Sequence, residues 1–299
     1  MMEELYPGVV SGTVVCTTGA DVGYHDAGQA GDGPVVILVH GTGGRTDTQF
    51  FTVFPMLASR HRVIGVDLSP VVRQGAEHLT LDDLIVQVEA VVDERVPGMQ
   101  LAVVGYSLGS CVAASFAARH PDTVSALVLL NGWAKTDNAL RLRFTLWQKL
   151  YESGDADALA MFQLLNVYGR AYVNSIPYIG PRPWSHVEQL VADYVVGPGS
   201  AEYVQLNAVM DISNLVSAIG ARTLVIGSQN DMLIPMEHSH ELFGAIASSC
   251  LAEIPGGHAS VTERPAHLFH LIDRFLREPD AFPAGSTVGD DVVLQLNRP

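Results

Sequence analysis

Basic residues are scarce in this sequence. Seventeen lysines and arginines stand against 32 aspartates and glutamates, and the formal net charge is −15. Nucleic acids and anionic membrane surfaces bind basic patches, so this balance argues against both as partners. It does not identify a cationic substrate, because dispersed acidic residues commonly serve solubility alone. No apolar run is long enough to span a bilayer, so we expect no membrane association.

Cysteines and cofactor-binding patterns are also lacking. The three cysteines, Cys16, Cys111 and Cys250, are widely spaced and odd in number. This spacing favours neither a disulfide framework nor a zinc site. No dinucleotide fingerprint or phosphate-binding loop occurs, so we expect no metal and no cofactor. Residues 1–4 lack the apolar core of a signal peptide, which predicts a soluble cytoplasmic protein.

What the sequence does contain is a regular alternation of short apolar runs and helical stretches. Apolar runs predict strands at residues 9–15, 22–25, 35–39, 62–66, 101–105, 123–130, 223–227 and 250–254. Strands separated by helices of this length imply βαβ crossovers. The predicted fold class is therefore α/β, with a mostly parallel, eight-stranded-type sheet flanked by helices.

The alternation stops after the sixth predicted strand. Residues 134–214 have a helical pattern and contain no strong strand pattern. We predict that residues 1–133 and 215–278 form the α/β core and that residues 134–214 form a helical cap, or lid, inserted into it. Residues 279–299 carry proline, glycine and aspartate, which predicts a peripheral tail.

One serine lies where a predicted strand meets a predicted helix, in the pentapeptide Gly105-Tyr106-Ser107-Leu108-Gly109. A serine at such a turn must adopt a strained backbone to project its hydroxyl. Glycines two residues before and after it remove Cβ atoms that would otherwise collide. The pentapeptide alone is common by chance, but the strand–turn–helix context indicates that Ser107 is a nucleophile.

Two downstream residues fit the partners that a serine nucleophile needs. A hydroxyl at neutral pH requires a base, and a third group must hold that base in the right tautomer. Asp231 and His258 follow the last two predicted strands, at the edge of the sheet where ligands bind in open α/β folds. Ser107, Asp231 and His258 are therefore the candidate catalytic residues. A turn role for Asp231 and a solvated loop role for His258 are the structural alternatives.

The chain order serine, acid, histidine and the G-x-S-x-G elbow resemble the α/β-hydrolase fold superfamily over about residues 35–276. The resemblance implies that the backbone N–H groups of Thr42 and Leu108 form the oxyanion hole. It also places a lid over the active site at the predicted cap. The other acid position known in the superfamily is occupied here by Asn131, so we prefer Asp231 as the acid.

Four more residues are candidates for substrate contact: His40, Gly41, Tyr106 and Trp133. His40 has an alternative role as a hydrogen-bonded organiser of its loop. The aromatic residues of the cap and its edge suggest an apolar pocket, or simply the cap's own core, and we expect only a few to line the pocket. They are Trp133, Trp147, Trp184, Tyr151, Tyr168, Tyr172, Tyr178, Tyr194 and Tyr203.

These observations predict a cofactor-free serine hydrolase that cleaves an ester, lactone or thioester of a small, largely apolar molecule through an acyl-enzyme on Ser107. Two alternatives stay open. The same residues could promote elimination, cyclisation or carbon–carbon cleavage with His258 as base. The fold could also serve as a non-catalytic ligand receptor. The sequence does not indicate an oligomeric state.

Overall fold

The computed structural model describes residues 6–29, 31, 33–176, 188, 191–192 and 200–288. Three aromatic residues of the predicted cap, Tyr178, Trp184 and Tyr194, lie outside these residues, as does the end of the predicted tail at residues 289–299. Within the described ranges, no helix combines the length and apolar character needed to cross a bilayer.

A nine-stranded sheet in the order β1-β2-β4-β3-β5-β6-β7-β8-β9 forms the centre of the described structure. The strands are β1 (Val10–Val15), β2 (Asp21–Ala27), β3 (Val35–Val39), β4 (Val63–Asp67), β5 (Leu101–Tyr106), β6 (Val124–Leu130), β7 (Arg222–Ser228), β8 (Ser249–Ile254) and β9 (Thr287–Val288). Strand β2 pairs antiparallel with β1 and β4, and the strands from β4 to β9 are parallel to one another. The predicted α/β class with a mostly parallel sheet is confirmed.

Helices follow the strands and cover the sheet. They are α1 (Thr46–Gln49), α2 (Val53–Ala58), α3 (Leu81–Arg95), α4 (Leu108–Arg119), α5 (Asn138–Ser153), α6 (Ala156–Val167), α7 (Arg170–Ser175), α8 (Ser200–Ala208), α9 (Ser213–Val216), α10 (Met236–Ala245), α11 (Ser260–Glu263) and α12 (Pro265–Arg277). Each central strand is buried on both faces, which explains its continuous apolar sequence.

The two faces of the sheet support separate parts of the core. Along β3, Val35, Ile37 and Val39 pack into one cluster with residues of α3 and α4. Val36 and Leu38 point to the opposite face and pack with residues of α2 and α12. Because successive side chains of a strand alternate between faces, the run of five aliphatic residues joins both layers.

We call residues 134–214 the cap segment. It lies between β6 and β7, as predicted for an insertion after the sixth strand, and its described part is helical from α5 to α8. Helices α5 and α8 pack against each other. The Tyr203 hydroxyl on α8 donates to the carbonyl of Leu68 just after β4, at 2.9 Å. The cap segment is therefore anchored at the edge of the sheet where the predicted site residues lie.

The beginning of the predicted tail joins the edge of the sheet. A short 3₁₀ helix, Pro279–Ala281, is followed by Phe282, which is buried edge-to-face against Phe275 with ring centroids 5.4 Å apart. Strand β9 then pairs with β8. This ninth strand adds to the eight that the sequence predicted, and its two residues are too few for a recognisable alternating pattern.

Candidate active site

Ser107 occupies the sharp turn between β5 and α4. Its backbone angles are φ 56° and ψ −123°, in the left-handed half of the map that non-glycine residues rarely adopt. Its N–H donates to the carbonyl of Leu130 on β6 at 2.9 Å, which holds the turn in place. A Cβ added at Gly105 would lie 2.2 Å from the carbonyl oxygen of Gly109. A Cβ added at Gly109 would lie 2.1 Å from the carbonyl oxygen of Val39. Close packing therefore requires both glycines of the elbow.

A continuous chain of hydrogen bonds joins the three predicted catalytic side chains. Ser107 Oγ lies 2.9 Å from His258 Nε2, and His258 Nδ1 lies 2.6 Å from Asp231 Oδ2. The three residues are 5 %, 3 % and 6 % exposed, respectively. A carboxylate oxygen accepts, so Nδ1 carries a proton and Nε2 is left to accept from the serine hydroxyl. This arrangement permits transfer of the serine proton to the imidazole.

The carboxylate of Asp231 is fixed by its own loop. Its second oxygen, Oδ1, accepts the backbone N–H groups of Leu233 and Ile234 at 2.9 and 2.8 Å. These two bonds form a local turn of the kind that aspartate favours. The turn chemistry that the sequence suggested as an alternative therefore coexists with the contact to His258, because each uses a different oxygen.

Asn131 supports the histidine loop. It follows β6 with a positive φ of 50°, a conformation for which asparagine is one of the better-suited residues. Its Nδ2 donates to the carbonyl of His258 at 2.8 Å and to Ser260 Oγ at 3.1 Å, while its Oδ1 accepts the N–H of Ser228 at 2.9 Å. The side chain at the alternative acid position thus ties β6, β7 and the His258 loop together.

His40 organises the loop after β3. It is buried, its Nδ1 lies 2.8 Å from the carbonyl of Gly41, and its Nε2 accepts the N–H of Leu68 at 2.9 Å. Burial lowers the pKa of His40, which agrees with a neutral ring protonated on Nδ1. Both ring nitrogens of His40 are thus used within the protein, and the residue does not line the cavity described below. Its contact with the substrate stays a prediction.

Gly41 lies directly behind the candidate nucleophile. Its N–H donates to Gln49 Oε1 at 2.7 Å, and a Cβ added to Gly41 would lie 2.9 Å from Ser107 Cβ. The residue does not line the cavity, and its contact with the substrate stays a prediction. What the position requires is the absence of a side chain next to Ser107.

Of the two predicted oxyanion-hole residues, Leu108 directly follows Ser107 and Thr42 lies in the loop after β3. Leu108 is the first residue of α4, where backbone N–H groups have no partner within the helix. Thr42 lines the cavity, and its Oγ1 accepts Nδ2 of Asn207, on α8 of the cap segment, at 2.7 Å. The Thr42 loop is therefore linked to the cap segment through a side chain.

Tyr106 lines the cavity, whereas Trp133 does not. The Tyr106 hydroxyl donates to the carbonyl of His258 at 3.1 Å, and its ring lies 5.3 Å from the imidazole. Trp133 is buried outside the cavity, and its Nε1 donates to Thr136 Oγ1 at 2.9 Å. The substrate contacts of Tyr106 and Trp133 both stay predictions. Trp133 supports the wall from behind, with its ring 5.7 Å from that of Phe144.

A cavity of about 310 Å³ lies between the cap segment and the carboxyl ends of the strands, and Ser107 and His258 open into it. From the cap segment it is lined by Phe144, Trp147, Gln163, Val167, Tyr168 and Asn207, and from the core by residues that include Thr42, Leu233 and Val261. Its volume is at the lower end of the range for small-molecule sites. Of the described cap aromatics named above, Trp147 and Tyr168 line it.

Several lining residues were not predicted from the sequence. Phe144, Gln163 and Asn207 lie on helices of the cap segment, and no local motif distinguishes them from neighbouring helical residues. Trp147 Nε1 and Asn207 Oδ1 are buried without a hydrogen-bond partner among the described residues. Such atoms are uncommon in native structures, and both are closed off from the cavity.

Glu263 was also missed, although it lies only five residues after His258. Its Oε1 accepts the N–H of Gly169 at 2.7 Å, and both of its oxygens lie 3.2 Å from the N–H of Gly257. The N–H of Ala259 in turn donates to the carbonyl of Val167 at 2.8 Å. The loop that carries His258 is therefore bonded on both sides to the end of α6 and the residues after it.

The basic side chain in the cavity wall is already paired. Arg45 Nη2 lies 3.1 Å from Asp67 Oδ2, and its Nε lies 3.2 Å from Asp47 Oδ1. Burial alone would raise the pKa of Asp67, but hydrogen bonds from His25 and Thr46 outweigh it and hold that pKa well below its usual range. Among the described residues, no group of three or more potential ligands is placed to hold a metal ion.

Comparison with known proteins gives consistent matches over most of the chain. A family model described as the alpha/beta hydrolase fold matches residues 34–265. Pyrrolizixenacetamide deacetylase of Xenorhabdus hominickii is 28 % identical over 253 residues, which cover 84 % of this chain and 93 % of the relative. RutD of Klebsiella pneumoniae is 32 % identical over 177 residues, covering 58 % and 65 %. Among solved structures, MGS-M2, an alpha/beta hydrolase enzyme from a deep-sea metagenome library, has a TM-score of 0.74 at 20 % identity and covers 86 % and 94 %.

Proposed function

The chain belongs to the α/β-hydrolase fold family, and from this premise we propose that it is a serine hydrolase acting on a small, largely apolar molecule. The bond cleaved is an ester, lactone or thioester. Ser107 is the nucleophile: its Oγ bonds to the carbonyl carbon, the bond to the leaving group breaks, and the acyl group is transferred to Oγ. A single observation carries the proposal: a serine in a strained elbow shares a hydrogen bond with His258, which shares another with Asp231.

In the proposed mechanism, His258 Nε2 takes the proton of Ser107 as Oγ attacks the carbonyl. The imidazolium then returns this proton to the leaving group, and water releases the acyl group by the reverse sequence. Asp231 holds the Nδ1–H tautomer and stabilises the imidazolium. The N–H groups of Leu108 and Thr42 stabilise the oxyanion, and each such donor contributes about 3–4 kcal/mol to the transition state.

The cavity supports a small substrate with a substantial apolar part. Phe144, Trp147, Val167, Leu233 and Val261 supply aromatic and aliphatic walls around Ser107. In this proposal residues 134–214 act as a lid that covers the acyl group and excludes bulk water. Exclusion of water strengthens the hydrogen bonds on which the mechanism depends.

The relative from Xenorhabdus hominickii supports hydrolysis rather than elimination. Its name describes a deacetylase, that is, an enzyme that removes an acyl group. It aligns with most of this chain, so acyl transfer is a reaction that this scaffold accommodates. Its own substrate is not transferred to this chain, because one fold hosts many reactions.

The decisive experiment compares Ser107→Ala with Ser217→Ala, a control at an exposed position. We expect the wild type and the control to be labelled covalently by a fluorophosphonate and to hydrolyse 4-nitrophenyl esters. Ser107→Ala should lose the label, and its kcat should fall about 10⁴-fold or more. Full activity in Ser107→Ala would refute the proposal. If Ser107→Ala is active while His258→Ala is inactive, base-catalysed elimination would replace it.

A further inference from the structure

We infer that the molecule cleaved at Ser107 also carries a neutral primary amide or lactam, with an N–H on the same side as its C=O, which pairs with the side chain of Gln163. This inference rests on the proposed function and adds a recognition group to it. Gln163 lies on α6 of the cap segment and lines the same cavity as Ser107 and His258.

The carboxamide of Gln163 is buried but has no hydrogen-bond partner among the described residues. The residue is only 3 % exposed, and its side chain makes no hydrogen bond within the part of the chain that the structure describes. Neither of its amide atoms is among the fully buried polar atoms without a partner. The little surface that Gln163 exposes therefore includes its amide, which opens into the cavity.

The other two carboxamides in the cavity wall offer no free acceptor oxygen. Asn207 Nδ2 donates to Thr42 Oγ1, and its Oδ1 is closed to solvent. Gln49 Oε1 accepts the N–H of Gly41. A ligand therefore reaches both a donor and an acceptor at Gln163 without displacing any bond within the protein.

The geometry of this pair of groups selects an amide. A carboxamide offers an N–H donor and a C=O acceptor side by side, and a primary amide or a lactam presents the complementary pair at matching spacing. A trans secondary amide does not, because its N–H and C=O point in opposite directions. A hydroxyl has a single oxygen and serves only one of the two atoms well. Any ligand that displaces water from Gln163 must replace the hydrogen bonds of that water, so an all-carbon group in this position loses affinity.

Charge favours a neutral amide over a carboxylate. Among the described lining residues the fixed cation is Arg45, and its guanidinium is already bonded to Asp67 and Asp47. A carboxylate next to Gln163 would find no unpaired cation in these walls. The net charge of −15 would also disfavour its entry.

The size of the cavity links recognition to the reaction. A volume of about 310 Å³ holds one small molecule. The amide at Gln163 and the carbonyl attacked by Ser107 therefore belong to the same substrate. Its remaining atoms lie against apolar walls such as Phe144 and Leu233.

The test uses three 4-nitrophenyl esters whose acyl chains have equal length. One chain ends in a primary carboxamide, one in a methyl ketone that accepts but has no N–H, and one is an all-carbon isostere. For the wild type we expect kcat/KM for the amide chain to exceed that of the all-carbon chain about tenfold, with the methyl ketone between them. Equal values for the three esters would overturn the inference.

Gln163→Met keeps the length of the side chain and removes both polar atoms. We expect it to lose the preference, so that kcat/KM for the amide chain falls about tenfold to the level of the all-carbon chain. The ratio is measured within one variant, so a partial loss of folded protein cancels. Gln205→Met, at an exposed position on α8 outside this cavity, should keep the full preference. Retention of the preference in Gln163→Met would also overturn the inference.

Titration calorimetry of Ser107→Ala with the same three esters separates this inference from the proposed function. The variant should bind the amide chain about tenfold more tightly than the all-carbon chain, and the double variant with Gln163→Met should not. If the wild type is labelled at Ser107 but these affinities are equal, only the amide inference fails. If no ester is cleaved and Ser107 is not labelled, the proposed function fails, while the affinities still decide the role of Gln163.

Discussion

Glu263 accepts the backbone N–H of Gly169 at 2.7 Å, although the two residues are 94 positions apart in the chain. The same carboxylate accepts the N–H of Gly257, the residue before His258. One side chain thus fixes both the turn between α6 and α7 and the loop that carries the candidate base. In physical terms, the position of the cap segment and the position of the imidazole are coupled.

Glu263→Ala should therefore lower activity through His258. The substitution leaves two N–H groups without an acceptor, at a cost of about 1–3 kcal/mol each if they stay buried. We expect kcat and the rate of Ser107 labelling by a fluorophosphonate to fall more than KM rises. Glu263→Gln, which keeps one acceptor oxygen, should restore most of the activity.

Glu237→Ala, at an exposed position on α10, is the matched control and should behave as the wild type does. A Glu263→Ala protein with reduced thermal stability but unchanged labelling of Ser107 would mean that Glu263 serves stability alone.

Asp231→Asn should reduce kcat about 10⁴-fold. Asparagine can still accept the N–H groups of Leu233 and Ile234 with its oxygen, and its NH₂ group then faces His258 Nδ1. The imidazole must in that case accept at Nδ1 and carry its proton on Nε2, where it cannot accept from Ser107. Ester kinetics measure the loss, and exposed Asp122→Asn is the control. A loss of less than tenfold would contradict the assignment of Asp231.

Asn131→Asp should destabilise the protein by about 1–3 kcal/mol. The Nδ2 that donates to the carbonyl of His258 would be replaced by an oxygen at 2.8 Å, so two acceptors would face each other. Urea denaturation checks this change. Asn138→Asp, at the first turn of α5, should be neutral or stabilising because a negative charge suits a helix N-terminus. Equal stability of the wild type and Asn131→Asp would show that the contact contributes little.

Gly41→Ala should both destabilise the fold and slow the reaction. The new Cβ would lie 2.9 Å from Ser107 Cβ and 3.1 Å from the carbonyl oxygen of Tyr106, so the elbow would have to shift. Overpacking of this kind costs about 1–3 kcal/mol. Thermal unfolding and the rate of fluorophosphonate labelling report the two effects. Gly220→Ala, where a Cβ meets nothing within 4 Å, should change neither.

His40 should make stability depend on pH below neutrality. Burial lowers the pKa of His40 in the folded protein relative to 6.5, so between these two values the unfolded chain binds more protons. The stabilisation is therefore complete above pH 6.5 and is lost as the pH falls through the folded-state pKa. Urea denaturation at pH 7.5 and at successively lower pH should show this decline.

His40→Gln is the comparison for the pH series. It should be less stable than the wild type at pH 7.5, because it does not reproduce both ring contacts, and its stability should change less as the pH falls. An equally steep decline in His40→Gln would assign the pH dependence to other groups.

Particular residues show which features follow from the local sequence and which do not. The apolar runs predicted the central strands well, because a strand buried on both faces must be continuously apolar. His40, Gly41 and Trp133 are candidates for substrate contact from the sequence, but the structure does not place them among the residues that line the cavity. Their sequence positions were close to the site, and adjacency in the chain does not say which way a side chain points.

By itself, the sequence determined the alternation of strands and helices and the glycine-flanked turn at Ser107. It also placed Asp231 and His258 just beyond the ends of strands. These features are local, since periodicity and turn chemistry depend on residues a few positions apart. The tertiary structure alone decided the walls of the cavity, the unpaired amide of Gln163 and the bond from Glu263 to Gly169. Those features depend on where the cap segment comes to rest on the sheet, and this is set by packing between residues that are far apart in the chain.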